Sequence, residues 1–215
     1  MEPDAVEIRV LGCLLEKQRT TPDAYPLTLN ALRLACNQAT NRDPVVDYDE
    51  ATIRTGLRRL SDRRWARVAS GAGSRAAKYR HLLDQALHVG DPELALLAVL
   101  MLRGPQTPGE LKQRTERLHR FADASELRAT LDGLIDRDLV ARLPRRPGEK
   151  QERHEHRLGG RAPEEEAPLA PLTSSEPKGA APPEEGPLAE RLERMERELG
   201  ELRSKLDALR RDLGA

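Results

Sequence analysis

Residues 54–63 have the sequence RTGLRRLSDR, and residues 128–137 have the sequence RATLDGLIDR. The two stretches align at a constant offset of 74 residues, and five of their ten positions are identical. An apolar helical pattern and a Thr-Pro pair precede each copy, and a short extended stretch with a glycine turn follows it. The repeat therefore indicates two copies of one small module rather than a single domain of about 160 residues.

The first copy predicts three helices in a row. Apolar residues with helical spacing predict the first helix over about residues 5–17. The second helix is expected over about residues 26–36, with the proline in its first turn, because proline lacks only a donor that would be unpaired there. The third helix is predicted over about residues 47–64, where Asp47 or Asp49 could cap the free amides at its start.

The predicted third helix has an apolar side and a basic side. At the helical period, its core-facing residues are Ile53, Leu57 and Leu60. Thr55, Arg58, Arg59 and Asp62 are then expected to face solvent, with Arg54 on the flank of the helix. A β-hairpin, or wing, is predicted over about residues 66–81 around a glycine turn. Three helices followed by a hairpin is the order of a winged helix-turn-helix domain.

The second copy repeats this order with a different charge. Thr107 and Glu110 form a capping-box pattern at the start of its second helix. Its third helix, predicted over residues 125–138, carries four acidic residues and only two arginines. Such a helix repels phosphate, so the second copy is expected to support DNA binding through its basic hairpin, which includes Arg145 and Arg146.

The sequence thus predicts a mainly α fold with small β-hairpins (α+β), made of two tandem winged helix-turn-helix domains and a C-terminal coiled-coil helix. The domains are predicted at residues 1–90 and 91–160. A disordered linker rich in Pro and Glu is expected at residues 161–187, because it contains too few large apolar residues to offset its ordering entropy. The coiled-coil helix is predicted at residues 188–215.

The coiled-coil prediction depends on an unbroken heptad seam. Its central residues are Leu192, Met195, Leu199, Leu202, Leu206 and Leu209. The seam predicts a homodimer, in which the flanking charges slightly favour an antiparallel pair over a parallel one. Because the seam has fewer than four full heptads, the alternative is a helix that packs back on its own chain.

The chain has equal numbers of basic and acidic residues, 36 of each, but they are segregated. Residues 1–160 hold 27 basic and 23 acidic residues. Residues 51–80 alone hold nine basic residues against Asp62. Such a cluster is typical of a surface that binds a polyanion, although a solvated arginine-rich surface is the alternative.

Several classes of protein do not fit the sequence. The longest apolar run, Leu94–Leu102, has nine residues, about half of what a membrane-spanning helix needs. The acidic start of the chain is unlike a secretory signal, so a cytoplasmic location and no membrane contact are expected. Cys13 and Cys36 lie in apolar helical patterns and are expected to be small buried side chains rather than part of a disulfide or zinc framework.

The sequence also contains no recognisable catalytic or cofactor motif. The P-loop, nucleophile-elbow, zinc-protease and dinucleotide-binding patterns are all missing from it. His154 and His156 would share one face of a strand, but a third metal ligand at a set spacing is missing. We therefore expect a protein that is not an enzyme and has no metal or cofactor.

Several longer strings carry a resemblance to a known family. They include LGCLLEKQ at residues 11–18, TTPDAYPL at 20–27, ACNQATNR at 35–42 and LRGPQTPGEL at 102–111. Over about residues 1–158 the chain resembles the YceH-type family of bacterial proteins. The resemblance implies a tandem winged-helix fold in a bacterial cytosolic protein, and it implies no defined biochemical activity. Similar proteins often have an aromatic residue between the wing glycines, where this chain has Ala72.

The function expected from the sequence is that of a DNA-binding, transcription-regulator-like protein with double-stranded DNA as its partner. The residues predicted to contact DNA are Arg42, Arg54, Thr55, Arg58, Arg59, Arg75, Lys78, Arg145 and Arg146. For the polar string at residues 37–42, a loop that bonds its own backbone is the alternative. The alternative function is a non-enzymatic protein-interaction scaffold built from tandem winged helices.

Overall fold

The structure, a computed structural model, describes residues 2–69, 76–145 and 151–159. The elements of the first half are α1 (Ala5–Thr20), a 3₁₀ turn (Pro22–Ala24), β1 (Leu27–Thr28), α2 (Leu29–Cys36), α3 (Glu50–Asp62), β2 (Ala66–Val68) and β3 (Lys78–His81). Those of the second half are α4 (Leu83–Leu87), α5 (Asp91–Arg103), α6 (Pro108–Thr115), α7 (Ala124–Asp136), β4 (Val140–Leu143) and β5 (Arg153–His156).

The sequence repeat is also a repeat of backbone conformation. Helices α3 and α7 begin 74 residues apart, after aspartate caps at Asp49 and Asp123 whose carboxylates accept hydrogen bonds from the first free amides. After the two helices, Arg64 and Asp138, again 74 residues apart, adopt positive φ angles of 61° and 56°. These left-handed residues end each helix and turn the chain into β2 and β4.

Both halves contain a small antiparallel β-structure. In the first half the strand order is β1-β3-β2, with Leu27 opposite Tyr79 and Ala66 opposite His81. In the second half β4 pairs with β5, and Gln106 forms an isolated bridge with His154 on β5. Gln106 thus stands where β1 stands in the first half. The predicted α+β class with small antiparallel β-elements is confirmed.

The two halves share one core, because α1 packs most extensively against α5. Leu11 and Leu14 of α1 and Leu97 of α5 are fully buried. A Cβ atom added at Gly12 of α1 would lie 3.0 Å from the Leu102 side chain on α5, so the two helices approach closely there. The described residues of both halves accordingly belong to one compact unit.

One element of the predicted helix pattern is wrong. Pro26 does not lie in the first turn of α2, which begins only at Leu29. The Thr28 hydroxyl caps this helix by accepting a hydrogen bond from the Ala31 amide at 3.2 Å. Leu27 and Thr28 instead pair with β3, about 50 residues later in the chain, and a local pattern cannot reveal such a contact.

Two further sequence predictions are confirmed, and several others concern residues that the structure does not describe. The first helix is confirmed and is three residues longer than predicted. The two cysteines are fully buried, as predicted. The linker at 161–187, the coiled-coil helix at 188–215 with its seam residues, Arg75 and Arg146 lie outside the described residues. In the parts of the chain that the structure describes, no helix is long and apolar enough to cross a bilayer.

Candidate nucleic-acid interface

Helix α3 buries one side and exposes the other, as the sequence predicts. Ile53, Leu57 and Leu60 are at most 2% exposed and pack into the core. Arg54, Thr55, Arg58 and Arg59 are all exposed. The back of the helix lies close to α1, because a Cβ atom added at Gly56 would be 3.1 Å from the Val6 side chain. A helix held from behind in this way presents its basic side to solvent.

The arginines of α3 differ in their ion pairs. Arg59 pairs with Asp4, and both side chains are about half exposed. Arg54 lies 4.0 Å from the carboxylate of Glu50, one turn earlier. Arg58 forms no ion pair within the described part of the chain. Among the described residues, the exposed basic side therefore has one guanidinium without an ion pair and two in solvent-exposed surface pairs.

Arg63, at the end of α3, has a structural role instead, because it bonds a buried carboxylate. Its Nε donates a hydrogen bond to Glu7 Oε1 at 3.0 Å, and Glu7 is only 1% exposed. A carboxylate buried to this degree requires a charged or hydrogen-bonded partner. Arg63 therefore ties α3 to α1.

The hairpin next to α3 also carries positive charge. Arg67 on β2 and Arg80 on β3 are directly opposite each other in the antiparallel register. Like charges at opposite positions in a sheet destabilise it unless an anion compensates them. Lys78 is half-buried at the start of β3, with its neighbour in the register at Thr28. The hairpin thus extends the basic surface beyond α3.

Arg42 lies in the interior and not on this surface. It is 5% exposed, and its guanidinium is held by the Glu16 carboxylate at 2.6 and 3.1 Å. Its remaining donors bind the carbonyl oxygens of Ala35 and Asn41 and the Gln38 side chain. With its donors satisfied by the protein, Arg42 has no free group for DNA, so we correct the prediction that it contacts a phosphate or a base.

The loop around Arg42 agrees with the alternative interpretation of residues 37–42, a loop whose side chains bond its own backbone. Asn37 Nδ2 donates a hydrogen bond to the Tyr48 carbonyl oxygen at 2.8 Å, and its Oδ1 accepts one from the Tyr48 amide at 2.9 Å. The asparagine therefore bonds the backbone of the loop itself. Asn37 and Arg42 together hold the loop that leads from α2 to α3.

The second half presents a different surface at the equivalent positions. The residues 74 positions after Arg54, Thr55, Arg58 and Arg59 are Arg128, Ala129, Asp132 and Gly133. Asp132 is paired with Arg142 of β4 at 3.3 Å. Helix α7 thus has one exposed arginine where α3 has three.

A cleft of about 740 Å³ lies along α6, α7 and the β4–β5 hairpin. Arg145, one of the predicted DNA contacts, is exposed and lines this cleft. His154 also lines it and is only 5% exposed, and its Nδ1 has no hydrogen-bond partner in the described residues. Burial lowers the pKa of His154 below its usual value, which favours the neutral imidazole.

His81 anchors the end of the first hairpin, and sequence reasoning gave it no role. Its ring is 1% exposed, its Nδ1 accepts a hydrogen bond from the Leu83 amide at 3.2 Å, and its Nε2 contacts Gln18 Oε1 on α1. This pattern assigns the proton to Nε2. Burial lowers the pKa of His81 to about 4, so the ring is neutral at neutral pH.

Comparisons with known proteins bear on the identity of the chain. The family described as "Protein of unknown function, DUF480" matches residues 4–149. A UPF0502 protein of Azotobacter vinelandii is 51% identical over 156 residues, which cover 73% of this chain and 69% of the relative. A UPF0502 protein of Shewanella sp. strain ANA-3 is 42% identical over 215 residues, 97% of this chain and 98% of the relative.

The resemblance found in the sequence is confirmed by a third relative. The UPF0502 protein YceH of Escherichia fergusonii is 42% identical over 220 residues, and the match covers 99% of this chain and 98% of the relative. This identity extends over nearly the whole of both chains, and the family match covers more than half of this one. Together they establish the family of the chain. The chain belongs to the DUF480 family of bacterial proteins, which includes the UPF0502 proteins and YceH.

Proposed function

We propose that this protein binds double-stranded DNA through α3 and the β2–β3 hairpin, as a transcription-regulator-like protein without enzymatic activity. The observation that carries the proposal is the exposed basic side of α3, formed by Arg54, Arg58 and Arg59 on a helix whose other side is buried. The opposed Arg67 and Arg80 extend this charge onto the hairpin. A polyanion would relieve the repulsion among these groups.

The order of elements supports the same proposal. A helix, a short strand, two more helices and a hairpin, with the sheet order β1-β3-β2, is the arrangement that we infer to be a winged helix-turn-helix. In that fold the third helix enters the major groove and the hairpin contacts the flanking backbone. The second half repeats the order with Gln106 in place of β1, so we infer two tandem winged helices.

The ion pairs on α3 do not exclude phosphate binding. The pairs Arg59–Asp4 and Arg54–Glu50 join side chains that are about half exposed or more. Surface pairs of this kind contribute only about 0–1 kcal/mol each. A phosphate group, which binds arginine through charge-assisted hydrogen bonds, can therefore replace either carboxylate.

The test is a titration of labelled duplex DNA with the full chain at several salt concentrations. With about four to six phosphate contacts per protomer, we expect log affinity to fall against log salt with a slope of about −4 to −5. Arg58→Ala should weaken binding, with a slope shallower by about 1 if this residue contacts a phosphate.

The matched control is Arg128→Ala, which removes an exposed arginine from α7 at the position equivalent to Arg54. It should leave both affinity and slope unchanged. A slope near −1 for the unaltered protein, or equal losses in the two variants, would contradict the proposal.

A second candidate function, a protein-interaction scaffold, is favoured by one observation. The 740 Å³ cleft of the second half combines apolar residues such as Leu127 and Leu131 with charges of both signs, as a site for a protein segment would. Alanine at both Arg58 and Arg59 separates the two functions. Unchanged DNA binding in this double variant, together with loss of a co-purifying partner in Lys112→Ala, which alters the cleft, would favour the scaffold over the DNA-binding protein.

A further inference from the structure

The solvent side of α3 carries three different side chains in a line. Thr55, Arg58 and Asp62 are three and four residues apart, so they follow one another along one face of the helix. All three are exposed. The arginines that flank this line, Arg54 and Arg59, are both paired with carboxylates. The line is therefore chemically mixed, whereas the side chains on its flanks are basic.

Comparison with the second repeat draws attention to Thr55 and Arg58. The two repeats share the residues that build the module, such as Leu57, which is buried in the core. At the exposed positions of Thr55 and Arg58, the second repeat has Ala129 and Asp132 instead. The threonine methyl and the guanidinium at these two positions thus belong to the first repeat and not to the common framework.

Thr55 offers a partner its methyl group. Its Oγ1 donates a hydrogen bond to the carbonyl oxygen of Ala51, one turn earlier, at 2.9 Å. This bond uses the only proton of the hydroxyl. The methyl group of this exposed side chain is free to contact an apolar group, and in the major groove of DNA that group is the C5 methyl of thymine.

Arg58 offers a complete set of hydrogen-bond donors. Its guanidinium forms neither an ion pair nor a hydrogen bond within the described part of the chain. The planar fork of N–H groups fits two acceptors that lie side by side. On DNA, such acceptors are the oxygens of a phosphate and the N7 and O6 atoms of guanine in the major groove.

The neighbouring carboxylate of Asp62 favours the guanine. Asp62 is exposed, lies one turn after Arg58 and has no ion pair among the described residues. A carboxylate at this distance repels a phosphate, whereas the edge of a base carries no net charge. Arg58 is therefore better suited to a base than to the DNA backbone.

We propose that α3 reads a guanine through Arg58 and a neighbouring thymine through Thr55, so that the protein binds DNA with sequence specificity. Such base recognition rests on the proposed DNA-binding function and gives that function its sequence preference. Three residues of a helix rise about 4.5 Å, close to the spacing of about 3.4 Å between base pairs, so the two side chains reach adjacent base pairs. Arg54, Arg59 and the hairpin then bind the flanking phosphates.

The first experiment is a selection with the full chain from a library of duplexes that have a randomised centre. The enriched duplexes should share a guanine and a thymine at adjacent base pairs. If the protein binds duplex DNA but enriches no sequence, or enriches one without guanine, base reading is wrong while the proposed function stands. Absence of any duplex binding would overturn both.

Base analogues then test each contact. Replacing the selected guanine by 7-deazaguanine removes the N7 acceptor and should weaken binding of the unaltered protein about tenfold. Arg58→Ala should bind the two duplexes equally. Replacing the thymine by uracil removes the C5 methyl and should weaken binding about fourfold. Thr55→Ser, which keeps the hydroxyl for the bond to Ala51, should not distinguish thymine from uracil.

The matched control is Arg67→Ala, because Arg67 is exposed on the hairpin that is proposed to contact the DNA backbone. This variant should bind all duplexes more weakly by the same factor and keep the full response to 7-deazaguanine. Thermal melting establishes that each variant is folded. If Arg58→Ala keeps the response to 7-deazaguanine, or Arg67→Ala loses it, the assignment of guanine to Arg58 is wrong.

Discussion

At the residue scale, burial separates the arginines of this chain into structural and surface groups. Arg42 and Arg63 hold buried or nearly buried carboxylates, whereas Arg58 is exposed and has no ion pair in the described residues. The sequence predicts the exposure of Arg58 correctly, because that exposure follows from the period of one helix. It does not predict the role of Arg42, whose partner Glu16 lies 26 residues away. Long-range pairs leave no local pattern.

The pair between Arg42 and Glu16 leads to a stability prediction. Glu16→Ala should lower the free energy of unfolding by about 3 kcal/mol or more, because it leaves a buried guanidinium without its counter-charge. Urea unfolding measures the change. Glu116→Ala, which breaks the exposed pair with Arg120, should cost less than about 1 kcal/mol. Equal losses in the two variants would show that Arg42 is not held as the structure places it.

His81 leads to a prediction about pH. Its pKa in the folded protein is about 4, lowered by burial from 6.5. Below pH 6.5 the unfolded chain therefore takes up a proton that the folded protein does not accept until about pH 4. The free energy of unfolding should fall across this window, by up to about 3 kcal/mol from this residue, and level off below it.

The variant His81→Gln isolates this contribution, since it removes the titrating group from both states. Urea unfolding at pH 7, 5.5 and 4 should show a smaller decline for His81→Gln than for the unaltered protein. His156, whose pKa burial also lowers to about 4, is present in both proteins and cancels in the comparison. The exposed His88→Gln is the control. Identical declines in His81→Gln and the unaltered protein would refute the assignment.

At the element scale, the caps of the longer helices and the offset between the repeats were predictable, whereas the start of α2 and the smallest strands were not. The aspartate cap of α3, the cap at Thr107 and the offset between α3 and α7 are all encoded within a few residues of each helix. The two-residue strand β1 and the single bridge at Gln106 exist only because distant hairpins pair with them. Leu27 and Thr28 have no strand pattern of their own, so the sequence predicts a helix start at Pro26 instead of a strand.

Two helix glycines give a matched prediction at this scale. Gly12→Ala should destabilise the protein by about 1–3 kcal/mol, because the added Cβ would lie 3.0 Å from Leu102 where α1 meets α5. Gly133→Ala on α7 has no atom within 4 Å of its Cβ and should stabilise the protein by about 0.5–1 kcal/mol. Thermal melts of the two variants should shift in opposite directions. A shift in the same direction would argue against close packing of α1 on α5.

At the scale of the whole molecule, two repeats with one backbone plan carry different surfaces. The predicted repeat and α+β class are present in the structure, but the packing of α1 on α5 was not predictable, because α5 is apolar on all sides and α1 buries charged as well as apolar residues. A pattern without a polar side does not say which neighbour covers which face. The domain boundaries and the DNA surface stay predictions.

Self-association is the prediction that belongs to this scale. The heptad seam at Leu192–Leu209 leads us to propose a homodimer, since a leucine or methionine at every a and d position would bury apolar area against a partner helix. Sedimentation equilibrium of the full chain should give about twice the mass of the monomer. The chain without residues 188–215 should sediment as a monomer. A monomeric full chain would instead support a helix that packs on its own body.

The burial of α5 on every side has a practical consequence. All nine residues from Leu94 to Leu102 are buried, so this helix depends on its neighbours along its whole circumference. A protease that cut the chain between the two repeats would expose the apolar surface of α5 on one piece and the apolar surface of α1 that covers it on the other. Neither piece could be handled separately in water, so efforts to crystallise or assay a single repeat should begin from the intact pair.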